Sequence, residues 1–150
     1  MIQLPEKHYI RLMDEQSALY EYFSRQYGLH SKSMQILLWV ANYPYFKGTY
    51  ITQKQLAQRT YSSKQVVNAT IKAWRNKGYV MLLDNPKDKR HKLVSLTAEG
   101  QCWAMPIIQE LNRIEQAAIA VLSEEEQDIL NRLLAKYNTA LKQEMEITYD

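Results

Sequence analysis

Cysteine is almost missing from this chain: Cys102 is the only one in 150 residues, so no disulfide can form within it and apolar burial has to hold the fold. Four glycines and four prolines are too few for a collagen-like or flexible polymer. No window approaches the roughly 18 uninterrupted apolar residues of a membrane span. Glu6, Lys7, Arg11, Asp14 and Glu15 occupy the stretch where a signal peptide needs an apolar centre, and the chain is therefore expected in the cytoplasm, away from membranes. The three histidines, His8, His30 and His91, share no helical face with a carboxylate or thiol at ligand spacing, so no metal or cofactor is expected. Nucleophile–base motifs and glycine-rich phosphate loops are missing as well, and an enzyme is not expected.

The most informative absence is of acid. Between Glu21 and Asp84 there is no Asp or Glu, while Arg25, Lys32, Lys47, Lys54, Arg59, Lys64, Lys72, Arg75 and Lys77 all fall there. Residues 1–21 hold two basic and four acidic groups (net −2), residues 22–92 thirteen and two (net +11), and residues 93–150 four and ten (net −6). A basic stretch folded onto one surface attracts phosphates and releases their counterions. A solvated basic face without a partner is the alternative that charge alone leaves open.

Periodicity supplies the architecture. From Pro5 to Tyr27, apolar residues recur at Tyr9, Leu12, Met13, Leu19, Tyr20, Phe23 and Tyr27, the three-and-four spacing of a long amphipathic helix stopped at Gly28. A second helix is expected from Ser31 to about Asn42, with Met34, Leu37, Leu38 and Ala41 inward, ending near Tyr43 because a residue before proline is pushed out of the helical region. Two short helices follow, each opened by a capping-box pattern, Thr52 with Gln55 and Ser62 with Gln65. The turn between them is tight and the second helix runs to Gly78, the arrangement of a helix-turn-helix. On a wheel, Val66, Val67, Thr70, Ile71 and Trp74 form its apolar arc and Gln65, Asn68, Lys72 and Arg75 the opposite one, with Lys64 at the border. Gln and Asn can pair bidentately with adenine, and Lys and Arg read guanine or hold phosphate.

The run Tyr79 to Leu83 reads as a strand, Asp84 to Arg90 as a charged turn and His91 to Leu96 as a returning strand. A hairpin directly after such a helix is a wing, and Lys87, Lys89 and Arg90 at its tip could reach a minor groove or a phosphate. Ala98 to about Leu122 is helical, with Ile107, Ile108, Leu111, Ile114, Ala118 and Val121 at helical spacing and Pro106 either kinking it or marking a later start. Ser123 with Glu126 caps a last helix striped by Ile129, Leu130, Leu133, Leu134, Tyr137 and Leu141.

Asp88-Lys89-Arg90-His91-Lys92-Leu93-Val94-Ser95-Leu96-Thr97 has the form Asp, any residue, Arg, five residues, Leu-Thr, and Ala98-Glu99-Gly100 follows it. With Ser63 to Val67 and Asn76 to Val80, the chain resembles the MarR family of winged-helix transcriptional regulators. The resemblance covers essentially the whole chain and is most specific over residues 62–100. It implies a mainly α fold over residues 1–150 as a single domain, a winged helix-turn-helix at 31–97 flanked by dimerisation helices at 1–30 and 98–150. It further implies a homodimer, a duplex DNA partner with two half-sites, an Arg90 that enters the minor groove and an Asp88 that helps hold it. The DNA-contacting set expected from residues and resemblance together is Ser63, Lys64, Gln65, Asn68, Lys72, Arg75, Lys87, Asp88, Lys89 and Arg90.

Independently of the family, a winged unit leaves the terminal helices with apolar stripes, and a second copy is the simplest cover for them. Symmetry then implies a pseudo-palindromic operator, and a repressor is the expected role. A winged helix used only to bind proteins is the competing function. Ser62 is expected to act mainly as a cap, Trp74 as core, and Cys102 as a buried or semi-buried apolar residue, with redox sensing the alternative. Tyr9, Tyr20, Trp39, Tyr43, Tyr45 and Trp103 come from elements that surround a small-molecule pocket in the family. Plain packing explains aromatic residues at helical spacing, but a small aromatic effector stacking there is the second expectation.

Overall fold

The computed structural model describes residues 8–147, so the part of the expected first helix at residues 5–7 lies outside the described residues. The order is α1 His8–Arg25, α2 Ser31–Lys47, β1 Ile51–Thr52, α3 Gln53–Thr60, α4 Lys64–Asn76, β2 Val80–Leu83, β3 Leu93–Leu96, α5 Ala98–Ile119 and α6 Glu124–Glu144. The chain divides into two compact units, residues 1–105 and residues 106–150.

The first unit is built around α2, which packs on α1, α3, β1 and β3. Ile36, Leu37, Val40 and Tyr43 of α2 are buried along with Met34, more of its circumference than the single inward face expected, because neighbours approach it from several sides. The helix also runs past the expected stop near Tyr43. Pro44 lies inside it, and Gly48, at φ +70°, ends it with its N–H donated to the Pro44 carbonyl. Proline forfeits one backbone bond, but ring contacts of Trp39 with Tyr43 and Phe46, and of Tyr43 with Phe46, hold the last turn together (centroids 6.5, 5.9 and 5.9 Å). Leu29, Ile51, Leu56, Val67, Ile71, Val80 and Val94 complete the core, each such side chain contributing about 1.5–3 kcal/mol relative to exposure.

The sheet has the order β1-β3-β2. Strand β1 is a finding of the structure: two residues long, it pairs Ile51 with Val94 and Thr52 with Leu93, too short for an alternating pattern to reveal. The hairpin itself pairs Val80 with Leu96 through Leu83 with Leu93.

Helix α5 runs without a break through Pro106, so the later start is excluded. Ile107, Ile108 and Leu111 are buried there. Ser123 and Glu126 form the expected reciprocal capping box at the start of α6. No residue of α6 is buried; Ile129, Leu130, Leu133 and Leu134 are exposed by 37–54%.

Candidate nucleic-acid interface

Helix α3 opens on the predicted box: Thr52 Oγ1 accepts from Gln55 N (3.1 Å) and Gln55 Oε1 from Thr52 N (3.0 Å). Tyr61 closes it in the left-handed region at φ +51°, an uncommon conformation for a bulky residue. It reverses the chain into α4. Here the expected second box fails. Ser63, one residue later than expected, is the cap, accepting from Val66 N at 3.2 Å. Ser62 instead shares a 2.6 Å hydroxyl contact with Thr60 Oγ1. The tight turn moved the cap because Thr60 is buried and bound back to the Leu56 carbonyl, and Ser62 serves it.

Val67, Ile71 and Trp74 are the buried residues of α4, and Thr70 is half-buried. Lys64, Gln65, Asn68, Lys72 and Arg75 are all exposed. Val66 does not belong to the apolar arc as expected: it is 44% exposed. The seam runs through positions spaced four and three apart, and Val66, adjacent to Val67, falls about 100° off it.

The wing tip is braced from within. Asp88 Oδ1 accepts from Arg90 N (3.0 Å) and Nε (3.1 Å), and Oδ2 from Nη2 (3.4 Å). The Arg90 bonds hold the Asp88 carboxyl below its usual range, and Asp88 in turn raises the Arg90 guanidinium. The Arg90 side chain is nevertheless 85% exposed, held in one direction and open to solvent. At the base of the tip Lys92 Nζ reaches Asp84 Oδ1 at 2.7 Å, and the Asn85 side chain accepts from Lys87 N at 3.1 Å. Lys87 and Lys89 are exposed.

The residues after the wing tie its base to the start of α5. Thr97 Oγ1 donates to the Gly78 carbonyl (2.6 Å) and accepts from Gly100 N (2.9 Å), and Thr97 N donates to the Tyr79 carbonyl (3.0 Å). A Cβ on Gly100 would overlap the Tyr79 carbonyl oxygen. Tyr79 also stacks on Trp103 at 4.3 Å and 9°, and Trp103 meets Trp74 edge-on at 5.4 Å. The end of α4, the start of the wing and the start of α5 are thereby joined.

Some of the basic residues are committed internally. Lys32 Nζ donates to the Thr60 carbonyl at 2.5 Å, and the Arg59 guanidinium lies 5.0 Å over Trp39 and 6.0 Å from the Tyr43 ring, within cation–π range. Trp39 and Tyr43, expected at an effector site, thus sit together with Arg59 and Phe46. Trp103 belongs to the Trp74–Tyr79 cluster instead. Tyr9 and Tyr20, on α1, are 53% and 39% exposed, and Tyr45 87%. Cys102 is exposed rather than buried; it follows the tightly packed Gly100 on a face of α5 that points outward. Among the described residues no group of three or more His, Cys, Asp or Glu could hold a metal ion, and no helix is long and apolar enough to cross a membrane.

A two-helix unit joined by a tight turn and followed by a braced hairpin defines a winged helix-turn-helix protein. Residues 27–91 match the family model described as the MarR family. An uncharacterized HTH-type transcriptional regulator of Bacillus subtilis (strain 168), YdcH, is 32% identical over 94 residues, 61% of this chain and 62% of its own length. The match therefore spans under two thirds of that relative. The S. aureus MepR–DNA complex superposes with a TM-score of 0.69 at 19% identity, covering 93% of this chain and 99% of that one. NadR in complex with 4-hydroxyphenylacetate gives 0.70 at 23%, covering 91% and 96%. These two likenesses show the shared fold. The chain thus has a winged-helix fold and is similar to the MarR family over residues 27–91.

Proposed function

We propose that this protein is a transcriptional regulator of the MarR family that binds duplex DNA in the cytoplasm as a homodimer and represses a pseudo-palindromic operator. The observation that carries the reading is the joint exposure of Gln65, Asn68, Lys72 and Arg75 on α4 and of a carboxylate-braced Arg90 on the wing, inside a segment of net charge +11 at residues 22–92, from thirteen basic and two acidic groups. A helix with amides and cations on its outer face suits a major groove, and a fixed arginine beside it suits the adjoining minor groove or a phosphate. Ser63, Lys64, Lys87 and Lys89 flank these and would hold backbone phosphates.

The apolar stripe of α6 supports the dimer: a 21-residue helix with no buried residue leaves Ile129, Leu130, Leu133 and Leu134 to be covered, and a second copy does so with closed symmetry. Two copies place two α4 helices on half-sites about one helical turn apart. The cluster of Trp39, Tyr43 and Phe46 under Arg59 supports a small aromatic acid as effector, with ring stacking and a cation for its carboxylate. The NadR structure contains such a molecule.

Selection of bound sequences from random duplex, followed by gel shifts at two salt concentrations, tests the function. Affinity should fall steeply with salt, and Lys72→Ala should lower the slope of log K against log salt by about one. Binding that is indifferent to salt and sequence would favour a protein-binding winged helix instead. For the effector, aromatic acids at saturation should change both tryptophan fluorescence and operator affinity.

A further inference from the structure

Val66 is the large apolar residue of α4 that the fold leaves outside its core. It lies in the first turn of the helix, 44% exposed, where a β-branched side chain is a poorer helix former than alanine. Its backbone is fixed at both ends: Val66 N donates to the Ser63 cap at 3.2 Å, and its carbonyl accepts from Thr70 Oγ1 at 2.9 Å. In a helix a valine has essentially one rotamer, so its two methyl groups are held at a set position beside Gln65, with exposed Ala69 one turn on. It lies on the flank of the duplex-binding face, about 100° around the helix from Gln65, with half-buried Thr70 and exposed Ala69 and Ala73 along its own stripe and no acidic residue anywhere in α4. A rigid apolar knob at the edge of a row of donors and cations matches the one apolar feature of the major groove, the thymine 5-methyl group.

We propose that Val66 is a specificity-determining residue that packs on a thymine methyl in each half-site, next to the base read by Gln65. The inference rests on the duplex-DNA reading above and adds to it a base identity that hydrogen-bonding side chains do not supply.

The test uses the selected operator with each thymine replaced in turn by deoxyuridine, which removes only the methyl and leaves every hydrogen-bonding group. With the unaltered protein, one thymine per half-site should show a loss of affinity of about fourfold on replacement, the factor for one methyl-sized group losing its burial. With Val66→Ala, thymine and deoxyuridine operators should bind equally at that position, while the salt slope stays unchanged. Thermal melting of the variant should match the parent, since the side chain is outside the core. If no thymine shows methyl dependence with the unaltered protein, or Val66→Ala keeps the same dependence, the assignment is overturned with DNA binding intact. Failure of the selection to return any duplex would instead overturn the DNA reading, and this inference with it.

Discussion

Arg90 shows how one side chain can be both exposed and ordered. Solvated arginines normally sample many rotamers, and ordering one costs side-chain entropy on binding. Asp88 removes part of that cost in advance by accepting from the Arg90 backbone N–H and from two N–H groups of its guanidinium on one carboxylate. Arg90→Ala should therefore weaken operator binding by about 1–3 kcal/mol in a gel shift; unchanged affinity would remove the wing from the interface. A second residue carries stability rather than binding. Gly100 packs against the Tyr79 carbonyl with no room for a Cβ, so Gly100→Ala must push the wing and α5 apart. It should cost about 1–3 kcal/mol, as overpacking does, read as a fall in the thermal midpoint. Both positions were visible in the sequence as parts of one stretch, where the resemblance assigned a role to Arg90 and none to Gly100, because the close approach of the Tyr79 carbonyl appears only in the folded chain.

At the scale of elements, capping ties helices to each other as well as ending them. Glu21, on α1, accepts from Ser31 N and Oγ at the start of α2, both at 2.6 Å, with His30 Nδ1 3.3 Å away. The bonds from Ser31 are the main cause that lowers the Glu21 carboxyl from 4.5 to about 2. A carboxylate with a depressed folded pKa stabilises above its unfolded pKa and loses that contribution as the pH falls through the folded one. The melting temperature should accordingly drop between about pH 4.5 and pH 2, and Glu21→Gln should show a smaller drop over this window. Equal pH profiles for the two proteins would mean that Glu21 does not fasten α1 to α2. This contact was not legible in the sequence, because ten residues separate the partners and neither lies in a capping pattern. Thr52 with Gln55, three residues apart, was legible for the opposite reason. Ser62 with Gln65 met the same pattern and failed, since the buried Thr60 claimed the Ser62 hydroxyl.

For the whole molecule the decisive feature is what the single chain leaves uncovered. Leu130, Leu133 and Leu134 of α6 are 37%, 54% and 38% exposed, and the proposed dimer buries them. Leu133→Asp places a charge in that contact and should convert the dimer to monomer in sedimentation equilibrium. Operator affinity should then fall far more than affinity for an isolated half-site, because two linked contacts are lost as one. A variant that stays dimeric would show that another surface joins the copies.

The sequence by itself determined the order of helices and hairpin, since apolar spacing and chain-local caps encode those directly, and it determined where positive charge accumulates. Only the tertiary structure decided which apolar residues are core and which face outward, as at Val66 and Cys102. It also decided that α2 passes through Pro44, that Ile51 and Thr52 join the sheet, that Arg59 lies over the Trp39 ring and that Lys32 bonds the Thr60 carbonyl. Each of these depends on neighbours distant in sequence, whose packing outweighs the local preference that the residue shows alone.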